Sequence, residues 1–236
     1  MGAIERRELD GATVLTFARP PVNALDLTVS EAFYEALVAA EAAGRPLVLT
    51  GAGTCFSAGI DTKRIPAYPP AEQQRMIDTV NRTLRRLHAF PAPVVAAVNG
   101  HALGGGLVVA LACDFRIVAA GALRLGLTEV TAGVPFPAAG LLITQTALAP
   151  ATVRQLVLSG RVIGPEEAVA LGVADEVAAP DAVVTRAVAL AAQLAAASAY
   201  TRVKAQLRAD VLARIDHVVA AGDPLLAGWL ASRRSP

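Results

Sequence analysis

What most constrains the fold of this chain is a short strand pattern that occurs twice with the same kind of sequel. Leu-Val-Leu-Thr at 47–50 runs through Gly51-Ala52-Gly53-Thr54 into Cys55-Phe56-Ser57-Ala58-Gly59-Ile60-Asp61. Val-Val-Ala-Ala-Val at 94–98 runs into Asn99-Gly100-His101-Ala102-Leu103-Gly104-Gly105-Gly106. Short apolar runs bounded by glycine turns fit strands buried on both faces, as in a sheet covered by helices. Helical patterns fill the intervals. One covers 28–44, opening on the box Thr28-Val29-Ser30-Glu31 and ending at Gly44; another covers 71–90 and stops at Pro91-Ala92-Pro93.

The rest of the chain extends this alternation. Residues 12–18 read as a strand broken by Arg19-Pro20-Pro21. A helix is predicted over 106–113, then strands over 114–119 and 123–127 around a turn at Gly121. From 141 onward the pattern is mainly helical, with one strand-like interruption at 173–177. The order implies an α/β core over 1–180 followed by a helical region over 181–236.

Composition narrows the partners. Hydrophobic residues are 54% of the 236 and charged residues 17%, enough apolar surface for a sizeable core. The formal net charge is +1, without a basic block or interleaved aromatics, so neither nucleic acid nor a membrane surface is an expected partner. The two cysteines, Cys55 and Cys113, have no metal-like or disulfide-like spacing. The stretch Met1 to Glu8 mixes both charge signs and has no apolar signal core, so a cytoplasmic location is expected. No metal site and no resident cofactor are expected.

Chemistry concentrates in the two glycine-rich sequels and one carboxylate. Small residues at Ser57, Ala58 and Gly59 let backbone approach a ligand, and the amides opening a helix after Leu103-Gly104-Gly105 suit an anion or a developing oxyanion. Each signal also fits a plain tight turn. No Gly-Lys-Ser/Thr follows the glycines, and Val109 stands where the dinucleotide fingerprint needs glycine or alanine. Cys55 occupies the first glycine position of a nucleophile elbow, which argues against an acyl-enzyme serine. Glu129 falls in phase with Leu123, Leu125 and Leu127, so strand periodicity turns it toward the apolar side. If the strand ends at Leu127, Glu129 lies instead on a solvated loop.

Phe56 to Asp61, Asn99 to Gly106, and Cys113-Asp114-Phe115-Arg116-Ile117 together resemble the signature blocks of the crotonase superfamily, the enoyl-CoA hydratases and isomerases. The similarity runs in order over about 4–197. The resemblance implies a crotonase-like spiral of ββα units and an oxyanion hole built from the amides of Ile60 and Gly105. It implies homotrimers or dimers of trimers, with C-terminal helices at the subunit contacts. Gly126-Leu127-Thr128-Glu129-Val130 matches the block carrying the family's acid/base glutamate. Hydratases carry a second glutamate where this chain has Val108, so the resemblance favours a single-glutamate shift of a 3-enoyl-CoA to a 2-enoyl-CoA. Pro20-Pro21-Val22-Asn23 and Gly106 to Leu111 also resemble mitochondrial-type Δ3,Δ2-enoyl-CoA isomerases. Hydration, other thioester chemistry and a catalytically silent acyl-CoA binder are the alternatives.

Coenzyme A, as part of the substrate, is expected along Val22, Ala24, Ser57, Ala58, Asp61, Leu103 and Gly104. Lys63, one of two lysines in the chain, reads equally as a phosphate contact or a surface residue. Pro21 stands where hydratases often have a lysine, and the tail ending Trp229 to Arg234 is shorter than the family's usual helix. His101 reads as loop-shaping, His88 and His217 as structural or surface, and Asp114 as a cap or ion-pair partner. Phe136-Pro137 is expected to shape the acyl pocket, and Arg202, Lys204, Arg208 and Arg214 to form a solvated helix face.

Overall fold

The computed structural model describes residues 2–223. The chain winds as strand–strand–helix turns that distribute their strands between two sheets. β1 (Ile4–Leu9) and β2 (Ala12–Phe17) form an antiparallel hairpin. Asp10 and Gly11 both take positive φ at its tip, matching the twist a two-residue hairpin loop needs. β1 is absent from the sequence reading because Glu5, Arg6, Arg7 and Glu8 give it no apolar face; it is an exposed edge strand.

α1 (Leu27–Ala43) follows. Its cap is not the expected Thr28 box. Asp26 takes the N-cap position and accepts the Val29 amide at 2.8 Å, while Gly44 ends the helix in the left-handed conformation. Three turns then repeat one plan: β3 (Leu47–Gly51), β4 (Cys55–Ser57) and α2 (Pro70–His88); β5 (Val94–Val98), β6 (His101–Leu103) and α3 (Gly105–Ala112); β7 (Phe115–Ala119), β8 (Leu125–Gly126) and α4 (Glu129–Ala132). The first strand of each turn joins the larger sheet, ordered β1-β2-β3-β5-β7-β10; the second joins the smaller, β4-β6-β8-β9. Parallel pairing from β2 through β7 explains the unbroken apolar runs, because both faces of that sheet are covered.

One face packs on α1, α2 and α3 in the main core. The other face presents Val14, Val48, Val95 and Ile117 to α8 (Val183–Ala195), so the helix just beyond residue 180 closes the outside of the sheet. Between them lie α5 (Ala138–Ala147), α6 (Pro150–Ser159), β9 (Val162–Ile163), α7 (Pro165–Ala170) and β10 (Glu176–Ala178). β10 is the strand expected over 173–177. It is displaced because 173–175 instead close the turn after α7, with Val173 and Ala174 buried and donating to the Ala168 carbonyl.

α9 (Tyr200–Ala221) lies against α2 and α5. The expected solvated face is only half correct: Arg202 and Arg214 are exposed, while Lys204 and Arg208 are buried. Lys204 Nζ and Arg208 NH2 each lie 2.8 Å from the carboxylate of Asp114, which also accepts the Val94 amide and the Tyr200 hydroxyl. Asp114 is thus an ion-pair partner fastening α9 to the start of β5. No single described helix is long and apolar enough to cross a membrane. Trp229 and the end of the tail lie outside the described residues.

Candidate active site

Two backbone loops meet where the spiral's second and third turns stack. A Cβ built on Gly106 would lie 2.1 Å from the Ser57 carbonyl oxygen, so only glycine lets α3 approach the end of β4 this closely. The segment after β4 is fixed from the other side by the 22–25 segment, through an isolated bridge between Leu25 and Ile60. Val22 accepts the Ala58 amide, Leu25 donates to Gly59, and Asp61 donates to Leu25, at 2.8 to 3.0 Å. Gly59 makes the bend at φ 79°.

This ladder leaves the Ile60 amide without an acceptor among the described residues, and the Gly105 amide, in the first turn of α3, likewise has none. A Cβ on Gly105 would sit 3.5 Å from the Ile60 nitrogen, so the absence of a side chain there keeps the space beside both donors open. Two unspent amides facing one space suit a developing oxyanion, because they need no reorganisation when charge appears.

Glu129 reaches the same space by a route that strand periodicity does not describe. β8 ends at Gly126, not Leu127, and Glu129 opens the four-residue helix α4. The alternation with the leucines therefore does not orient it. It is nevertheless only 7% exposed, and its Oε2 has no hydrogen-bond partner among the described residues. A Cβ on Gly104 would lie 3.5 Å from Oε1, which places the carboxylate against the glycine loop. Burial raises the Glu129 pKa from 4.5 to about 7, opposed weakly by its own amide. A carboxyl poised near neutrality can both take and return a proton.

Two adjoining cavities share Ile60, Gly105, Glu129 and Pro137. The inner one runs between α1, α2, α3 and α5 and is lined by Phe33, Val80, Leu84, Val108 and Gly140, among others. The outer one is lined by Ala58, Thr62, Leu103, Gly104 and Thr128, among others. Glu129 is the only ionisable side chain on either lining among the described residues.

The other expected site residues distribute unevenly. Ala58, Leu103 and Gly104 line the outer cavity, while Val22 and Ala24 stand beside the 58–61 loop. Ser57 is fully buried; its hydroxyl donates to the Asn23 carbonyl and accepts the Gly59 amide, so it shapes the loop and lines neither cavity. Asp61 accepts the Lys63 and Arg64 amides in a turn, and Lys63 is exposed. His101 opens strand β6 instead of shaping a loop, and its Nδ1 accepts the Arg124 amide, tying β6 to the segment before β8. His88 is buried with Nδ1 against the Ala112 carbonyl, and burial together with Arg208 lowers its pKa to about 4. His217 is exposed. Pro137 lines both cavities, but Phe136 lines neither. The sequence reading missed the helical contributors Ser30, Phe33, Val80, Thr83 and Leu84. Phe33, Val80 and Leu84 have the apolar spacing of core, Ser30 reads as part of the helix-opening box, and only the assembled spiral shows a gap there.

Comparison with known proteins bears on this arrangement. The family model described as enoyl-CoA hydratase/isomerase matches residues 7–227. A probable enoyl-CoA hydratase of Mycobacterium avium is 38% identical over 187 residues, covering 77% of this chain and 71% of the relative. A probable enoyl-CoA hydratase of Bacillus subtilis is 35% identical over 205 residues, covering 85% and 79%. The crystal structure of human mitochondrial Δ3,Δ2-enoyl-CoA isomerase superposes with a TM-score of 0.90 at 27% identity, over 97% of this chain and 92% of that one.

Proposed function

This chain belongs to the enoyl-CoA hydratase/isomerase family, and we propose that within it the protein shifts the double bond of a 3-enoyl-CoA to the 2-position through Glu129. The observation that carries this reading is the solitude of Glu129. It is the one ionisable side chain on the two cavities among the described residues, and Val108 lines the inner wall where a hydratase would place its second carboxylate.

The thioester carbonyl is placed between the Ile60 and Gly105 amides. The Glu129 carboxylate takes a proton from C2, and the electron pair moves into a dienolate whose negative oxygen the amides hold. The resulting carboxylic acid returns the proton to C4, leaving the double bond between C2 and C3. No electron leaves the substrate, so the reaction calls for no redox partner. One such amide donor is worth roughly 2.7–4 kcal/mol in the transition state.

Coenzyme A is assigned to the outer cavity, along Ala58, Leu103 and Gly104 with Val22 and Ala24 beside it. Ser57 and Asp61 act there through the backbone they fix. The assembly assigned to the protein is a trimer or a pair of trimers in the cytoplasm, a reading that rests on family resemblance.

The curated relatives bear hydratase names, which favours hydration of 2-enoyl-CoA as the second reading. Offering both esters to the purified protein separates the two. Conversion of the 3-enoyl ester alone is expected; hydration of the 2-enoyl ester as the dominant reaction overturns the proposal. Val108→Glu is expected to add measurable hydration, because it supplies a second carboxylate to hold water. A folded variant with no gain contradicts the role given to Val108.

A further inference from the structure

The inner cavity is a blind pocket, and a small one. Of its lining residues, only Ile60 and Gly105 are not buried, so it opens at the two amide donors and is closed beyond them. Its free volume is about 30 Å³, against about 170 Å³ for the outer cavity. That is room for about one or two water-sized groups. The lining presents almost no polar surface. Thr83 folds its hydroxyl back to the Thr79 carbonyl at 2.7 Å, and the Ser30 hydroxyl is fully enclosed.

The far wall of this pocket does not yield easily. Phe33 packs edge-on against Phe17 with ring centroids 4.9 Å apart, and Phe17 against Phe56 at 5.7 Å, so an aromatic row inside the main core holds the Phe33 ring. On the α5 side, a Cβ built on Gly140 would lie 3.2 Å from Val108 Cγ1 and 3.6 Å from Leu84 Cδ1. A single methyl group would therefore fill the gap that α5 leaves beside them. A longer body would have to displace close-packed core. In the reaction assigned above, C1 lies at the amides and C2 and C4 at Glu129, so only atoms beyond C4 enter the pocket. We infer that the protein takes short aliphatic acyl-CoAs, of about four to six carbons, with Phe33, Leu84 and Gly140 setting the depth. This rests on the acyl-CoA reading of the site, but not on whether isomerisation or hydration follows.

The test measures binding, so that it does not depend on turnover. Straight-chain saturated acyl-CoAs of increasing length are titrated calorimetrically into wild type, Leu84→Ala and Gly140→Ala. In wild type, affinity is expected to rise about fourfold per methylene up to about six carbons, and to level off or fall beyond. Leu84→Ala deepens the pocket and is expected to carry the rise outward by about two carbons. Gly140→Ala, a change a helix accepts readily, is expected to end the rise at about four carbons. If Leu84→Ala fails to fold, Gly140→Ala alone decides. Wild-type affinity still climbing at about eight carbons overturns the inference; so does a length profile that neither variant moves, because the tail then lies outside this pocket. A short-chain profile with hydration as the dominant reaction overturns the isomerase assignment and leaves the pocket depth standing. Failure to bind any acyl-CoA overturns both.

Discussion

A carboxylate held without a partner costs the fold something, and at Glu129 the cost has a pH signature. The folded state binds the Glu129 proton more tightly than the unfolded chain, so its burial is free of charge penalty below about pH 4.5. The penalty grows as pH rises through about 7, reaching about 3 kcal/mol when the group is fully ionised. Glu129→Gln is therefore expected to stabilise the protein at pH 8 by about 3 kcal/mol and to lose that advantage near pH 4. Chemical denaturation of both proteins at the two pH values measures it. An equal or smaller advantage at pH 8 than at pH 4 contradicts the burial argument. Glu129 was legible as a candidate through the block Gly126 to Val130, which resembles the one carrying the family's acid/base glutamate; the strand-phase argument does not hold, because β8 ends at Gly126 and the glycine loop and α4 bury the carboxylate instead.

Among the elements, strands were easiest to read where both faces are buried. β3 and β5 announce themselves because parallel pairing demands apolar residues at every position. β1 is silent because one paired edge fixes it while its side chains remain in solvent, although the Asp10-Gly11 turn was there to be read. β8 and β9 are two residues each, too short for any period to appear. The contact between β4 and α3 depends on one hydrogen atom in place of a side chain. Gly106→Ala drives a methyl group onto the Ser57 carbonyl, and backbone on both sides leaves little room to yield. A loss of about 3 kcal/mol in stability is expected, with displacement of the neighbouring amide donors and loss of turnover. Unchanged stability and rate would show that the loops do not need this approach.

At the scale of the whole molecule, α8 and α9 hold the spiral from opposite sides. α8 uses hydrocarbon, covering the outer face of the larger sheet. α9 uses charge: Lys204 and Arg208 converge on Asp114, and Arg208 also donates to the His88 and Cys113 carbonyls. Composition placed these cations on a solvated face because the spacing of Lys204 and Arg208 is that of any helical stripe, and their partner lies 90 residues away in sequence from Lys204. Asp114→Ala leaves two buried cations facing no anion, and a loss of about 3 to 5 kcal/mol is expected. Denaturant melts with unchanged slope would measure it; a loss below about 1 kcal/mol would mean that the cluster is solvated in practice.

In the proposed reaction one carboxylate, Glu129, moves the proton between two carbons while two backbone amides hold the thioester oxygen. The most direct measurement compares wild type and Glu129→Gln for both 3-enoyl-CoA turnover and acyl-CoA affinity. Turnover is expected to fall by about a hundred- to ten-thousandfold while affinity stays within a few-fold, because the amides and cavity walls remain in place. Turnover at the wild-type rate in the glutamine variant would contradict it.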